Sequence, residues 1–143
     1  MQKHKAGFTV VDDTYNSNPA AVAQVLSGFG KLPWSGRRIA VLGDMLELGS
    51  SEKKRHRETG ALVAKLKYDR LIAVGPLGQE MQKAAIAAGL KRDKAQWVPD
   101  ALTAAEILIG EVKRGDLVIV KASHGVGLDR ALAKLQEAFP VMA

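Results

Sequence analysis

Three short polar segments hold the side chains that could do chemistry. Asp12-Asp13-Thr14-Tyr15-Asn16-Ser17-Asn18-Pro19, Gly43-Asp44-Met45-Leu46-Glu47-Leu48-Gly49 and Lys121-Ala122-Ser123-His124-Gly125-Val126-Gly127 each follow a short apolar run. A carboxylate at a strand end, Asp12 or Asp13, can accept hydrogen bonds from the vicinal hydroxyls of a ribose, as an acidic residue does in dinucleotide folds. Lys121, Ser123 and the amides of Gly125 to Gly127 offer a cation, a hydroxyl donor and a helix N-terminus to a carboxylate or phosphate. Taken singly, each segment also suits a polar turn with a helix cap, for which Asn18 before Pro19 and Asp44 before Met45 are well placed. Three polar segments, two of them glycine-bearing, converging on one rim make a ligand site the better reading.

What is missing narrows the chemistry. The sequence has neither a Gly-x-x-x-x-Gly-Lys-Ser/Thr phosphate loop nor a Gly-x-Gly-x-x-Gly after the first strand, so the chain alone lacks a cradle for a triphosphate with its magnesium. It is expected to supply half a site. No Gly-x-Ser-x-Gly elbow is present, and Ser123 beside His124 does not make a nucleophile and its base, which argues against a hydrolase. His4, His56 and His124 lie far apart with no ligand spacing, so no bound metal is expected, and His56 reads as a packed or surface helix residue. The absence of cysteine excludes disulfides, thiolate zinc sites and a cysteine nucleophile, and suits a reducing cytoplasmic setting.

The elements that must position these residues follow from hydrophobic periodicity. Phe8–Asp12, Arg38–Leu42, Arg70–Val74 and Asp116–Val120 are short β-branched runs of the kind buried in parallel sheets, and Ala95–Val98 before Pro99 reads as a fifth strand. Between them lie segments with helical spacing. Val22, Val25, Leu26, Phe29 and Leu32 form one stripe; Leu102, Ala105, Leu108, Ile109 and Val112 a second; Leu128, Ala131, Leu132, Leu135 and Phe139 a third. Segments 55–66 and 79–90 complete the alternation, with Pro19 in a first helical turn and Gly89 at a helix stop. Strand alternating with helix throughout predicts an α/β, Rossmann-like, mostly parallel sheet with helices on both faces, folded as a single domain over residues 1–143. In such sheets ligands bind beyond the carboxyl ends of the strands, where the three polar segments fall.

Composition sets the outer limits. Apolar residues make up 47% and charged residues 25%, so disorder, collagen-like repeats and coiled coil are excluded. No apolar run reaches the ~18 residues of a membrane helix, and no membrane partner is expected. A net charge of +6 favours anionic ligands. The cluster Lys53-Lys54-Arg55-His56-Arg57 is interleaved with Glu52 and Glu58 and reads as a solvated helix face. Neither Trp34 nor Trp97 lies in that cluster to stack bases, so nucleic acid is not the expected partner.

At the polar segments the sequence resembles the Mur ligase family. Residues Asp12 to Pro19 are similar to the Asp-Asp-Ser/Thr-Tyr-Asn-Ala-Asn-Pro signature that opens the C-terminal domain of its D-alanyl-D-alanine-adding members. The similarity continues through Val41 to Gly49, His56, and Val120 to Leu128, and so covers essentially the whole chain. Sister ligases carry a His in the loop after the first strand or an Asp-Asn-Pro-Arg motif, and neither is present here. The resemblance implies an ATP-dependent amide ligase of peptidoglycan synthesis, in which ATP phosphorylates the terminal carboxylate of UDP-N-acetylmuramoyl-tripeptide and the amine of D-alanyl-D-alanine attacks the acyl phosphate. It further implies that N-terminal and central domains, absent from this chain, hold the UDP-sugar and the ATP phosphates with Mg, leaving this domain inactive alone. By position, Asp13, Tyr15, Asn16 and Asn18 would meet the nucleotide, Lys121 and Ser123 would face the dipeptide carboxylate, and Asp44 and Glu47 would lie near the cleft. Ala122 and His124 depart from the family's usual Gly and Arg, which reduces the charge available to that carboxylate near neutral pH. The competing expectation from the residues alone is a non-catalytic Rossmann-like module that binds a nucleotide or an acidic peptide.

Overall fold

The computed structural model describes residues 1–13, 18–46, 48–121 and 127–142. Six strands, β1 (Gln2–Lys3), β2 (Thr9–Asp13), β3 (Arg38–Gly43), β4 (Arg70–Val74), β5 (Ala95–Val98) and β6 (Leu117–Lys121), form one sheet in the order β1-β2-β6-β3-β4-β5. All neighbours are parallel except the edge pair β1 and β2. Among the described residues five α-helices connect or follow the strands: α1 (Pro19–Lys31), α2 (Glu52–Lys65), α3 (Gly78–Ala87), α4 (Ala101–Glu111) and α5 (Leu128–Ala138).

Alternation along each strand divides the core in two, because successive side chains leave opposite faces of a pleated sheet. Val10, Ile39, Val41, Ile72, Val118 and Val120 pack under α4 and α5. On the other face Val11, Ala40, Leu42, Leu71, Ala73 and Ile119 meet α1, α2 and α3. The expected α/β fold with helices on both faces is therefore present. Local chemistry fixes the helix starts. Asn18 caps α1 by accepting a hydrogen bond from the Ala21 N–H (2.9 Å), with Pro19 opening the first turn. Asp100 caps α4 by accepting from the Thr103 N–H (2.8 Å) and hydroxyl (2.7 Å), and these bonds hold its carboxyl below the usual range.

At the amino ends of the strands, Asp116 accepts from Arg37 Nε (3.0 Å), from a second Arg37 nitrogen (2.7 Å) and from the Lys113 N–H (2.9 Å). This bidentate pair ties the start of β3 to the start of β6 and leaves the opposite rim to the polar segments.

The structure corrects the sequence reading at several places. β2, β3 and β6 each run one residue further than expected, so Asp13 and Lys121 are the last residues of strands instead of loop residues. Strand pairing rewards backbone hydrogen bonds regardless of side-chain polarity, which the apolar pattern does not register. Leu102 is 51% exposed and Ala101 and Ala104 take the buried positions, because Asp100 caps the helix and sets its phase. Leu32 is the exposed C-cap of α1 and no part of its buried stripe. The two-residue β1 was not anticipated; it pairs with β2, and the Met142 N–H donates to the Lys3 carbonyl (2.9 Å).

Candidate active-site rim

Topology brings the polar segments together. β6 lies between β2 and β3, and all three are parallel, so their carboxyl ends open side by side on one rim. Lys121 is in register with Asp13 on one side and with Leu42 on the other. The chain reverses its direction of travel across the sheet here, since β3 to β5 run outward from the centre while β6 returns to fill the gap beside β2. Such switch points are where open α/β sheets bind ligands. Lys121 is only 2% exposed, a cation at the end of a central strand. Asn18 sits at the same rim as the N-cap of α1. Tyr15, Asn16, Glu47 and Ser123 lie outside the described residues.

Asp44 immediately follows β3 and is 7% exposed. It does not cap a helix beginning at Met45, as its sequence position suggests; a short 3-10 turn at Gly49–Ser51 comes first and α2 begins only at Glu52. Instead its Oδ1 accepts from the Leu77 N–H (3.1 Å), at the N-cap position of α3 in the loop after β4. The carboxylate packs against Gly75, where φ is +99° and a Cβ would stand 3.0 Å from Oδ1. Burial pushes the Asp44 carboxyl above its ordinary range, and the hydrogen bond from the Leu77 N–H opposes that rise. A carboxyl with a raised folded-state pKa costs stability while charged, and that cost disappears as pH falls through the folded-state value toward the unfolded one. Asp44→Asn keeps an oxygen acceptor for Leu77, so it is expected to match or exceed the parent's melting temperature at neutral pH. The difference should narrow on acidification; a variant less stable at neutral pH, or a constant gap, would contradict this.

Described residues that follow β3 line two concavities. Asp44 and Leu46, with Gly75, Pro76, Pro99 and Asp100, line a cleft of about 250 Å3. Leu48, with Asn18, Pro19, Arg55 and Glu58, lines an open groove of about 580 Å3. The sequence reading missed Arg55, Pro76 and Pro99 as rim residues, since nothing in their local pattern marks them. Met45 is buried beneath the loop and Leu48 packs against the α1–α3 core. His56, on α2, is fully buried; its Nε2 accepts from the Met45 N–H (2.9 Å) and its Nδ1 donates to the Glu52 carbonyl (2.6 Å). Of the two positions expected for His56, packed or at the surface of a helix, the packed one is observed, and the solvated face expected of residues 53–57 is interrupted at this residue. Its burial is legible in retrospect, because His56, Thr59, Gly60 and Val63 share the buried face of α2 at helical spacing.

Among the described residues no three His, Asp or Glu side chains are grouped to hold a metal ion, and no helix is long and apolar enough to cross a membrane. The rim therefore offers a buried cation, carboxylates, a capped helix N-terminus and two shallow concavities. That set can bind and orient a polar, anionic ligand.

The domain is a doubly wound α/β sheet with its polar segments at the switch point, the place where many sheets of this class bind their ligands. A family model described as the Mur ligase glutamate ligase domain matches residues 1–124, and the chain belongs to the Mur ligase family, as a C-terminal domain. It is 30% identical over 135 residues to the UDP-N-acetylmuramoyl-tripeptide–D-alanyl-D-alanine ligase of Bacillus subtilis, covering 94% of the chain and 29% of that protein. It is 36% identical over 137 residues to the ligase of the same name from Mycobacterium leprae, covering 85% of the chain and 26% of that protein. Among solved structures, that of the MurF ligase from Thermotoga maritima in complex with ADP matches with a TM-score of 0.77 at 29% identity, over 96% of this chain and 30% of the other. The chain thus spans less than a third of the length of these relatives.

Proposed function

We propose that residues 1–143 are the C-terminal domain of an ATP-dependent ligase that joins D-alanyl-D-alanine to UDP-N-acetylmuramoyl-tripeptide in cytoplasmic peptidoglycan synthesis. The observation that carries the reading is the adjacency of the β2, β6 and β3 carboxyl ends, with Asp13 and Lys121 in register and Asp44 beside them. The names of the two curated relatives support the choice of acceptor. In this reading Asp13, Tyr15, Asn16 and Asn18 meet the nucleotide, Lys121 and Ser123 meet the acceptor dipeptide, and Asp44 and Glu47 lie near the cleft on the substrate side.

The reaction passes the γ-phosphoryl group of ATP to the terminal carboxylate of the tripeptide, giving ADP and an acyl phosphate. The dipeptide amine then attacks the acyl carbon, the amine gives up a proton, phosphate leaves and an amide bond remains. In this reading the central domain of the longer protein holds the metal and the ATP phosphates, and its N-terminal domain holds the UDP-sugar. The role left to this domain is to close over the bound intermediate. Holding the amine ~3–3.5 Å from the acyl carbon supplies rate by proximity, and excluding water protects the acyl phosphate from hydrolysis. The test is ADP release by the full-length protein. It should require both UDP-N-acetylmuramoyl-tripeptide and D-alanyl-D-alanine, while the isolated chain releases none; full-length protein that binds nucleotide without acceptor-dependent turnover would instead support the non-catalytic module.

A further inference from the structure

We infer that His56 is a positioning residue for this reaction, acting through the loop after β3; the inference rests on the ligase reading above. Both ring nitrogens are committed to backbone. The Met45 N–H is only a donor, so Nε2 must accept (2.9 Å), and the Glu52 carbonyl is only an acceptor, so Nδ1 must donate (2.6 Å). This selects the neutral Nδ1–H form and, with the ring fully buried, leaves no nitrogen for a metal or a substrate proton.

The same ring therefore spans from the first turn of α2 to the second residue of the β3 loop. One residue earlier, Asp44 fastens the loop to the start of α3 through the Leu77 N–H (3.1 Å). Two consecutive residues are thus pinned to two different helices, and buried Met45 supplies an apolar anchor between them. Leu46, 48% exposed, follows these pins and lines the 250 Å3 cleft together with Asp44. A shift of the pinned residues would reshape that cleft. A displacement of ~1 Å at a reacting centre can cost on the order of a hundredfold in rate, so holding these residues rigid has a direct catalytic consequence.

The experiment compares His56→Phe, which fills the space without hydrogen bonds, with His56→Gln, whose amide oxygen can still accept from Met45, in the full-length protein. His56→Phe is expected to raise KM for D-alanyl-D-alanine about tenfold or lower kcat by a similar factor while KM for ATP stays within about twofold, and His56→Gln to recover most of the loss. Hydrogen exchange over residues 43–48 should rise in His56→Phe and return toward the parent level in His56→Gln. Unchanged acceptor kinetics in a folded His56→Phe protein, equal changes in both KM values, or no recovery with Gln would overturn the inference. If His56→Phe does not fold, the Met45 amide decides: slow exchange in the parent and in His56→Gln supports the clamp, and fast exchange in the parent overturns it. If the parent shows no acceptor-dependent turnover, the ligase reading fails and with it the catalytic role, whereas loop exchange still reports separately on the clamp.

Discussion

Replacing Lys121 by Met in the full-length protein is expected to lower D-alanyl-D-alanine-dependent ADP release about a hundredfold, with the fold retained. Lys121 ends the central strand β6 and is flanked in register by Asp13 and Leu42. At 2% exposure its charge acts in a medium far less polarisable than water, where a fixed cation exerts more force on a carboxylate or phosphate than it would in solvent. Removing a preorganised electrostatic contact of this kind typically costs on the order of 10²–10³ in rate. Methionine keeps the apolar stem buried while it removes the charge. Asp13→Asn in the same protein should act on the other substrate, raising KM for ATP roughly tenfold with a smaller change in KM for the dipeptide. Steady-state kinetics against each substrate distinguishes the two effects, and turnover within about twofold of the parent in both variants would remove these residues from the site.

The second large effect is structural. Gly60→Ala is expected to destabilise the chain by about 2–3 kcal/mol, lowering the melting temperature by roughly 10 °C. Gly60 lies in α2 on the face turned to α3, and a Cβ there would fall on the carbonyl oxygen of Met81, with the Met81 Cα only 2.8 Å away. Backbone cannot rotate aside as a side chain can, so the two helices must separate. Alanine also favours helix over glycine by about 0.5–1 kcal/mol, and the expected loss is net of that gain. Gly28→Ala in α1 is the control, since nothing lies within 4 Å of the added carbon and only the helix gain should remain. Thermal unfolding of both variants gives the answer; a Gly60→Ala protein as stable as the parent would contradict the close approach of α2 and α3. Because α2 carries His56 and α3 begins beside Asp44's partner Leu77, loosening this contact should also slacken the rim.

The strands were legible because buried parallel strands need continuous β-branched runs, and Arg38–Leu42 and Arg70–Val74 are such runs. Their carboxyl ends were less so. Asp13 and Lys121 join the ladder through backbone groups that carry no sequence signal of their own, and only the register reveals that they are neighbours. The convergence of three segments followed from the general rule for open sheets, while the insertion of β6 between β2 and β3, which makes them adjacent, is a long-range fact. Asp44 shows the limit most clearly. Its place before Met45 suggests a local cap, yet its partner is Leu77, in the next loop, which the crossover through α2 brings alongside. His56 hid in a run of charged residues where its neighbours face solvent, and only the period of α2 separates it from them. Leu102 failed for a simpler reason: apolarity alone does not set the phase of a short alanine-rich helix, and the Asp100 cap does.

If the carboxyl ends of β2, β6 and β3 form one half of a composite catalytic site, bound substrates must shield them from solvent. Hydrogen exchange of the full-length protein compares the free enzyme with enzyme holding a non-hydrolysable ATP analogue, UDP-N-acetylmuramoyl-tripeptide and D-alanyl-D-alanine together. Exchange is expected to slow in segments 12–18, 43–48 and 121–127, with the amino ends of the same strands unchanged. Protection confined to those amino ends, or no protection anywhere in residues 1–143, would contradict the composite site.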